Sequence, residues 1–267
     1  MVGHRFLERM IGGGHCSRFR ITAFCEESRP AYDRVGLTSF FSGKSAEALS
    51  LVEPGRYEAA GIELLVGDRA IAIDREARTV TSAHQKTVAY DQLVLATGSY
   101  PFVPPIPNKD APGCFVYRTL DDLAAIRDYA GRSRVGVVVG GGLLGLEAAH
   151  ALSQLGLQVH VVEFAPRLMA LQLDEVGGGL LRSKIEALGV SVHTGKSAAA
   201  VELDGDRAAG LRFADGSSLS AELIVFSAGI RPRDQLAREC GLELGARGGI
   251  VVDDQCRTSD RDVFAIG

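Results

Sequence analysis

The sequence predicts an α/β fold made of two similar domains, the second of which is inserted in the first. Three observations lead to this prediction. A glycine-rich turn separates a strand-like run from a helix-like run near the middle of the chain, and an acidic residue ends the strand that follows. An incomplete copy of the same order begins at the N-terminus. Each copy continues into short strands with polar turns, which is typical of a β-meander.

The central run, residues 135–139, contains four valines in five residues, as expected for a strand buried on both faces of a parallel sheet. It is followed by the spacing G-x-G-x-x-G at Gly140, Gly142 and Gly145. The first glycine lets the chain turn tightly, and the second lets the backbone approach a pyrophosphate. The third lets the next helix, predicted over residues 143–155, pack closely on the strand.

The acidic residue that closes the next strand is Glu163. A carboxylate there can accept hydrogen bonds from the ribose of an adenine dinucleotide and repels a 2′-phosphate, so it favours NADH over NADPH. Arg167 keeps NADPH open as a minority alternative, because a guanidinium can bind phosphate. The glycine spacing alone is a weak signal. Between a strand and a helix, with the acid 18 residues after Gly145, it predicts a Rossmann-like dinucleotide site.

Length and composition limit the function classes. With 267 residues, 46% of them hydrophobic, the chain can bury a substantial core as two domains. A net charge of −4 gives no reason to expect nucleic acid or an anionic membrane as partner. No apolar run is long enough for a membrane span, and the first residues resemble no signal peptide, so we expect a soluble cytoplasmic protein. The cysteines and histidines show no metal-ligand spacing, so we expect no metal site.

The N-terminal copy lacks the beginning of the pattern. A helix-like run follows Gly3, and a strand over residues 19–25 ends on two acids. We interpret Gly3 as the third glycine of a second turn and Glu26 as its ribose acid, with Glu27 as the alternative. Without the repeat, both acids would be interpreted as solvated residues at a strand end. The first strand and the first two glycines of this copy are missing, so we expect a chain truncated at both ends.

Both copies continue through corresponding elements. A first meander leads to the strand-like run 92–98, and a second meander leads to the matching run 223–229. Such a duplication implies two nucleotide-binding domains. We also predict that residues 168–188 are mostly helical and that residues 248–253 form a short strand. The predicted domain limits are 1–117 for the first domain, 118–242 for the second, and 243–267 for the return to the first.

Three separated motifs resemble those of the FAD/NAD-linked pyridine nucleotide oxidoreductase family. They are Ala96-Thr97-Gly98, the fingerprint from Gly140 to Glu147, and the closing run 258–267. The resemblance covers the whole chain. It implies that the first domain holds FAD, that the second holds NAD(P)H, and that hydride passes from nicotinamide to flavin.

Within that family, several stretches are similar to the N-terminal flavin module of NAD(P)H-dependent nitrite reductase large subunits, which act in nitrate assimilation. They are residues 1–6, 31–34, 98–101, 114–119, 162–167 and 254–259. The resemblance implies that electrons continue to iron-sulfur and sirohaem centres in downstream domains that are missing here. Other branches carry redox cysteines in the first domain, whereas the comparable run 37–42 has none. Flavin would therefore reduce a separate centre directly, in downstream domains or an electron-acceptor protein.

The resemblance also assigns site residues. The candidates for NAD(P)H are Gly140, Gly142, Leu143, Leu144, Gly145, Glu163 and Gly229. The candidates for FAD are Gly3, Glu26, Arg34, Thr97 and Gly98. Arg34 could neutralise phosphate or lie in a solvated loop. Glu147 is the catalytic candidate, near the nicotinamide; alternatively it is a helix-start acid favoured by the helix dipole.

Three functions remain open at this point. The first is an electron-input module of a nitrite reductase, and the second is a stand-alone ferredoxin- or rubredoxin-type reductase of the same fold. The third is a nucleotide-binding module without turnover. A homodimer is left open. A sheet without its first strand leaves backbone groups unpaired and loses two glycines under the pyrophosphate, so we expect poor FAD binding and intact NADH binding.

Overall fold

The computed structural model describes all 267 residues, which pack as two compact units. Unit 1 comprises residues 1–33, 47–100 and 231–267, and unit 2 comprises residues 34–46 and 101–230. In chain order, unit 2 interrupts unit 1. The predicted limits of 1–117, 118–242 and 243–267 differ from these packing limits and stay a prediction about which segments bind which cofactor.

The helices are α1 (Val2–Gly12), α2 (Arg56–Ala59), α3 (Leu120–Ala130), α4 (Leu143–Gln154), α5 (Glu175–Ala187) and α6 (Gln235–Glu239). The strands are β1 (Ile21–Cys25), β2 (Ile62–Val66), β3 (Ala70–Asp74), β4 (Thr79–Ser82), β5 (Thr87–Ala89), β6 (Leu93–Leu95), β7 (Ser99–Pro101), β8 (Cys114–Val116), β9 (Val135–Val139), β10 (Gln158–Glu163), β11 (Ser191–Thr194), β12 (Ala198–Asp204), β13 (Arg207–Phe213), β14 (Ser218–Ser220), β15 (Leu223–Phe226), β16 (Ile230–Pro232) and β17 (Val263–Ala265). None of the helices combines the length and the apolar character that crossing a bilayer requires.

Unit 2 contains a continuous parallel sheet with the strand order β11-β10-β9-β15-β8. Its central strands are apolar on both faces: Val137, Val138 and Ile224 are fully buried. Each such side chain contributes roughly 1.5–3 kcal/mol through removal of apolar surface from water. The antiparallel meander β12-β13-β14 packs its apolar residues into the same core. The prediction of a parallel sheet with a β-meander is confirmed.

Unit 1 contains two separate parallel pairs, β1 with β2 and β6 with β17. Its antiparallel meander is β3-β4-β5. One small core surrounds Leu7, Tyr57 and Ile62, and a second surrounds Leu95 and Val263. No strand pairs with both β1 and β6, so the parallel strands of this unit do not form one continuous sheet.

Two predicted elements differ from the structure. Of the stretch 168–188, predicted to be mostly helical, Glu175–Ala187 is helix; the helix starts there because Asp174 is its N-cap, whose carboxylate accepts a 2.8 Å hydrogen bond from the Gly177 amide. The strand predicted over 248–253 does not form. Gly248 and Gly249 have φ angles of 83° and 88°, which extended strands do not use, and a single bridge joins Leu244 to Ile250.

Candidate functional site

The turn between β9 and α4 can be built only with glycine at its two ends. Gly140 has a φ of 125°, and a Cβ there would lie 2.2 Å from the carbonyl oxygen of Ser227. A Cβ at Gly145 would lie 1.9 Å from the carbonyl oxygen of Gly140. The first glycine therefore permits the turn beside β15, and the last lets α4 pack against the turn.

Gly142 differs from the other two glycines because the space beside it is open. It is the N-cap of α4, has an extended backbone, and a Cβ there would meet nothing within 4 Å. No side chain caps the helix, so the first amides of α4, including those of Leu143 and Leu144, face a site that an anion can occupy. The helix dipole adds partial positive charge at the same end.

Glu163 is the last residue of β10 and lies beside this turn. One carboxylate oxygen accepts a 2.6 Å hydrogen bond from the Gly141 amide, and the other accepts a 2.7 Å bond from the Ala165 amide. Hydrogen bonds to an ionised acceptor are among the stronger ones in proteins. They fix the carboxylate at the carboxyl end of β10, next to the glycine turn.

Two further candidates of unit 2 flank the turn. Gly229 follows β15, has a φ of 109°, and its carbonyl accepts a 2.9 Å bond from the Phe102 amide. Glu147 lies in the second turn of α4 and is half-buried, and this burial raises the pKa of its carboxyl group. Burial raises the pKa of Tyr117, with a smaller contribution from the charge of Glu147. Glu147 therefore lies at the helix start with a partly desolvated carboxyl group.

In unit 1, Arg233 links three of the predicted FAD residues. Its guanidinium forms an ion pair with Glu26, its carbonyl accepts a 2.7 Å bond from the Thr97 hydroxyl, and its amide donates to the Gly98 carbonyl at 2.9 Å. Gly3 lies in the first turn of α1, where a Cβ would approach that of Ala96 to 3.2 Å. Sequence reasoning did not include Arg233, although its position directly after the second copy's closing strand was a signal for it.

The remaining FAD candidates are differently placed. Arg34 packs with unit 2, where its guanidinium donates a 3.2 Å bond to the Arg118 carbonyl. Glu27, the alternative ribose acid, accepts a 2.5 Å hydrogen bond from the hydroxyl of Tyr32. The structure therefore groups Glu26, Thr97 and Gly98 around Arg233.

All five cysteines are free, and two of them have thiols with a raised pKa. No two of the five form a disulfide. Burial raises the pKa of Cys114 to about 11 and also raises the pKa of Cys240, which keeps both as protonated thiols at neutral pH. No group of three or more histidine, cysteine or acidic side chains could hold a metal ion. The run 37–42 contains no cysteine, and the Thr38 hydroxyl within it forms a 3.2 Å hydrogen bond with the Tyr117 hydroxyl.

Relatives with similar sequences include nitrite reductases. The chain is 57% identical to the nitrite reductase (NADH) large subunit of Escherichia coli (strain K12), over all of this chain and 32% of that protein. It is 37% identical to the nitrite reductase [NAD(P)H] of Bacillus subtilis (strain 168), over all of this chain and 33% of that protein. The chain thus spans about a third of these relatives' length.

Solved structures share the fold. A ferredoxin reductase from Rhodopseudomonas palustris superposes with a TM-score of 0.86 at 34% identity, over 93% of this chain and 61% of that one. The covalent putidaredoxin reductase–putidaredoxin complex gives a TM-score of 0.87 at 28% identity, over 96% and 64% of the two chains. Residues 8–267 match the family description, and the chain therefore belongs to the pyridine nucleotide-disulphide oxidoreductase family.

Proposed function

We propose that the chain is the electron-input part of an NAD(P)H-dependent nitrite reductase large subunit. In this proposal unit 2 binds NADH and unit 1 contributes to the binding of FAD. Electrons then continue to sirohaem and iron-sulfur centres in domains outside this chain. The observation that carries the proposal is the 57% identity over all of the chain to a subunit of that name, together with the uncapped glycine turn of unit 2.

The residues of unit 2 fit a dinucleotide. The open space beside Gly142 and the amides of the first turn of α4 would receive the pyrophosphate. Glu163 would accept from the ribose hydroxyls, and its negative charge would disfavour a 2′-phosphate. We assign Glu147 to the neighbourhood of the nicotinamide, because it lies on the same helix one turn further and is half-buried. Gly229 would leave room for the ligand at the end of β15.

The residues of unit 1 fit a flavin nucleotide in part. Glu26 would accept hydrogen bonds from the ribose hydroxyls, and Thr97 and Gly98 would line the site at the end of β6. The glycine turn proposed to hold the pyrophosphate in unit 2 has no counterpart among the residues of unit 1. The strand that would lead into such a turn is absent, since no strand pairs with both β1 and β6. When bound, nicotinamide supplies a hydride, and flavin accepts it and passes electrons onward. The protonated thiols of Cys114 and Cys240 support direct transfer to a separate centre.

A cytoplasmic location belongs to the same proposal. The absence of disulfides among five cysteines supports it, because oxidising compartments favour disulfide formation.

A stand-alone ferredoxin-type reductase is the second candidate, and the similarity to a ferredoxin reductase over 61% of its length favours it. The length of the uninterrupted open reading frame separates the two: the first requires additional domains with clustered cysteines.

The purified chain should be titrated with NADH, followed by nicotinamide fluorescence, and separately with FAD. We expect saturable NADH binding and weak FAD binding. Anaerobic NADH with saturating FAD should then bleach the visible flavin absorbance faster than without protein. Absence of NADH binding would overturn the dinucleotide proposal, and stoichiometric FAD retained through purification would contradict the assignment of weak FAD binding. NADH binding without faster bleaching would identify a non-catalytic nucleotide-binding module.

A further inference from the structure

We infer that Arg167 is a positioning residue of the nucleotide site in unit 2, that Gly178 accommodates its side chain, and that Arg167 is not a ligand of a 2′-phosphate. The inference rests on the dinucleotide function proposed for unit 2. It concerns the loop 164–174, which joins the ribose acid to helix α5.

The Arg167 guanidinium is directed at its own loop. Its Nε donates a 3.0 Å hydrogen bond to the Leu173 carbonyl, and one Nη donates a 3.2 Å bond to the Ala170 carbonyl. Two of its three nitrogens thus close residues 168–174 into a compact loop. An arginine that recognises a phosphate presents such paired donors to the ligand, so this arrangement competes with that role.

The closed loop packs against the glycine turn. Met169, with a φ of 47°, donates its amide to the Gly141 carbonyl at 3.0 Å. The fully buried Leu168 fills the space beside Gly141, where a Cβ would approach its side chain to 2.6 Å. Gly141 therefore binds the loop through its carbonyl and binds Glu163 through its amide. A loop that opened would release one of the supports of the ribose acid.

Helix α5 is shaped to receive the arginine. A Cβ at Gly178 would lie 3.0–3.3 Å from the Cδ, Cβ and Cγ atoms of Arg167, which is tighter than ordinary packing. A Cβ at Gly179, the next residue of the same helix, would meet nothing within 4 Å. A side chain at position 178 would therefore press on the aliphatic part of Arg167, whereas one at position 179 would not.

This arrangement leads to a specific prediction about the choice between NADH and NADPH. If Arg167 only holds the loop, its removal weakens NADH and NADPH alike, because both use the ribose site that the loop supports. If Arg167 binds a 2′-phosphate, its removal weakens NADPH alone. Discrimination between the coenzymes then depends on Glu163.

The test compares Arg167→Ala and Gly178→Ala with Gly179→Ala, a matched control on the same helix. Dissociation constants for NADH and NADPH are measured by nicotinamide fluorescence, and amide hydrogen exchange is measured for residues 168–174. We expect Arg167→Ala to weaken the binding of both coenzymes by about tenfold, because only part of the free energy of the two lost hydrogen bonds is transmitted to the ribose site through Gly141. The ratio of the two dissociation constants should stay constant, and amide hydrogen exchange at Met169 and Leu173 should become faster. Gly178→Ala should change both readouts in the same direction, and Gly179→Ala should match the unmodified chain.

Selective loss of NADPH binding in Arg167→Ala would overturn the inference. Unchanged coenzyme affinity and unchanged amide exchange in Gly178→Ala would also overturn it. That variant tests the packing of Arg167 against α5 even if Arg167→Ala fails to fold. If the unmodified chain bound neither coenzyme, the proposed function would fail. Exchange at Met169 and Leu173 would then still decide whether Arg167 and Gly178 hold the loop.

Discussion

Units 1 and 2 use corresponding elements, yet only unit 2 has a continuous parallel sheet. In unit 2, β9 lies between β10, which carries the acid, and β15. The corresponding strands of unit 1 are β1 and β6, and each pairs only with an outer neighbour. The strand that leads into the glycine turn is therefore also the strand that joins the two halves of the sheet. One element supplies both the entry into the glycine turn and the continuity of the core.

The two strand-end acids show the same difference at atomic scale. Glu163 is held by backbone amides, one of which belongs to the glycine turn. Glu26 has no such turn beside it and pairs with the guanidinium of Arg233. Both side chains of that pair are about 40% exposed, so solvent screens their attraction. A similar residue in a similar sequence position thus has a different environment in each unit.

The largest expected effect comes from the glycines of the complete turn. Gly140→Ala places a side chain against the Ser227 carbonyl at a φ that L-residues rarely adopt, so we expect a loss of about 3 kcal/mol or more in unfolding free energy. Urea unfolding followed by circular dichroism measures it. A stability equal to that of the unmodified chain would show that β15 does not confine this turn.

Gly142→Ala is the matched control, because its Cβ points into open space. We expect its unfolding free energy to stay within about 0.5 kcal/mol of the unmodified chain. Its affinity for NADH should nevertheless fall, since the methyl group would occupy space next to the pyrophosphate. Parallel losses of stability and binding in both variants would remove the distinction between a structural glycine and a binding glycine.

A smaller effect is expected from the acids. Glu163→Gln should lower NADH affinity by about tenfold, because a neutral amide is a weaker acceptor for the ribose than a carboxylate. The affinity for NADPH should fall less, since the repulsion between the carboxylate and the 2′-phosphate is removed. Glu26→Gln should leave NADH affinity unchanged and alter stability by less than about 1 kcal/mol. Fluorescence titration compares the variants, and an equal NADH loss in both would contradict the division of roles.

The smallest effect concerns the pH dependence of stability. Because the folded-state pKa of Glu147 is raised by burial, the folded state holds its proton more tightly than the unfolded state. The resulting destabilisation is absent below the ordinary carboxyl pKa and is complete once the pH exceeds the raised value. Glu147→Gln should therefore be more stable than the unmodified chain at neutral pH, by less than about 1 kcal/mol after solvent screening, and equally stable in acid.

Thermal unfolding at both pH values checks this expectation. Glu76→Gln, in the exposed turn between β3 and β4, is the matched control, which corrects for the removal of one carboxylate from the surface. A neutral-pH stability for Glu147→Gln below that of the unmodified chain would mean that the carboxylate forms a favourable contact in the folded protein.

The sequence predicted those features that depend on short-range patterns. The valine-rich strand, the three glycines and Glu163 were identified because strand period, glycine spacing and the strand-end acid are local properties. The role of Arg233 was not predicted, since its contacts join residues more than 130 positions apart. The extent of α5 was overestimated because apolar periodicity in 168–174 reflects a buried loop residue, Leu168, and not a helix. Arg167 left NADPH open as a minority alternative, because the sequence gives the charge of a side chain and not its direction.

The separation of β1 from β6 has a consequence for solution behaviour. A strand with one unoccupied flank offers main-chain donors and acceptors to any extended segment that approaches it, as in the capture of peptides by β-augmentation. Each parallel pair of unit 1 has such flanks, whereas β9, at the centre of unit 2, is paired on both sides. A polypeptide of these 267 residues is accordingly expected to bind a short β-forming peptide along unit 1 and not along β9.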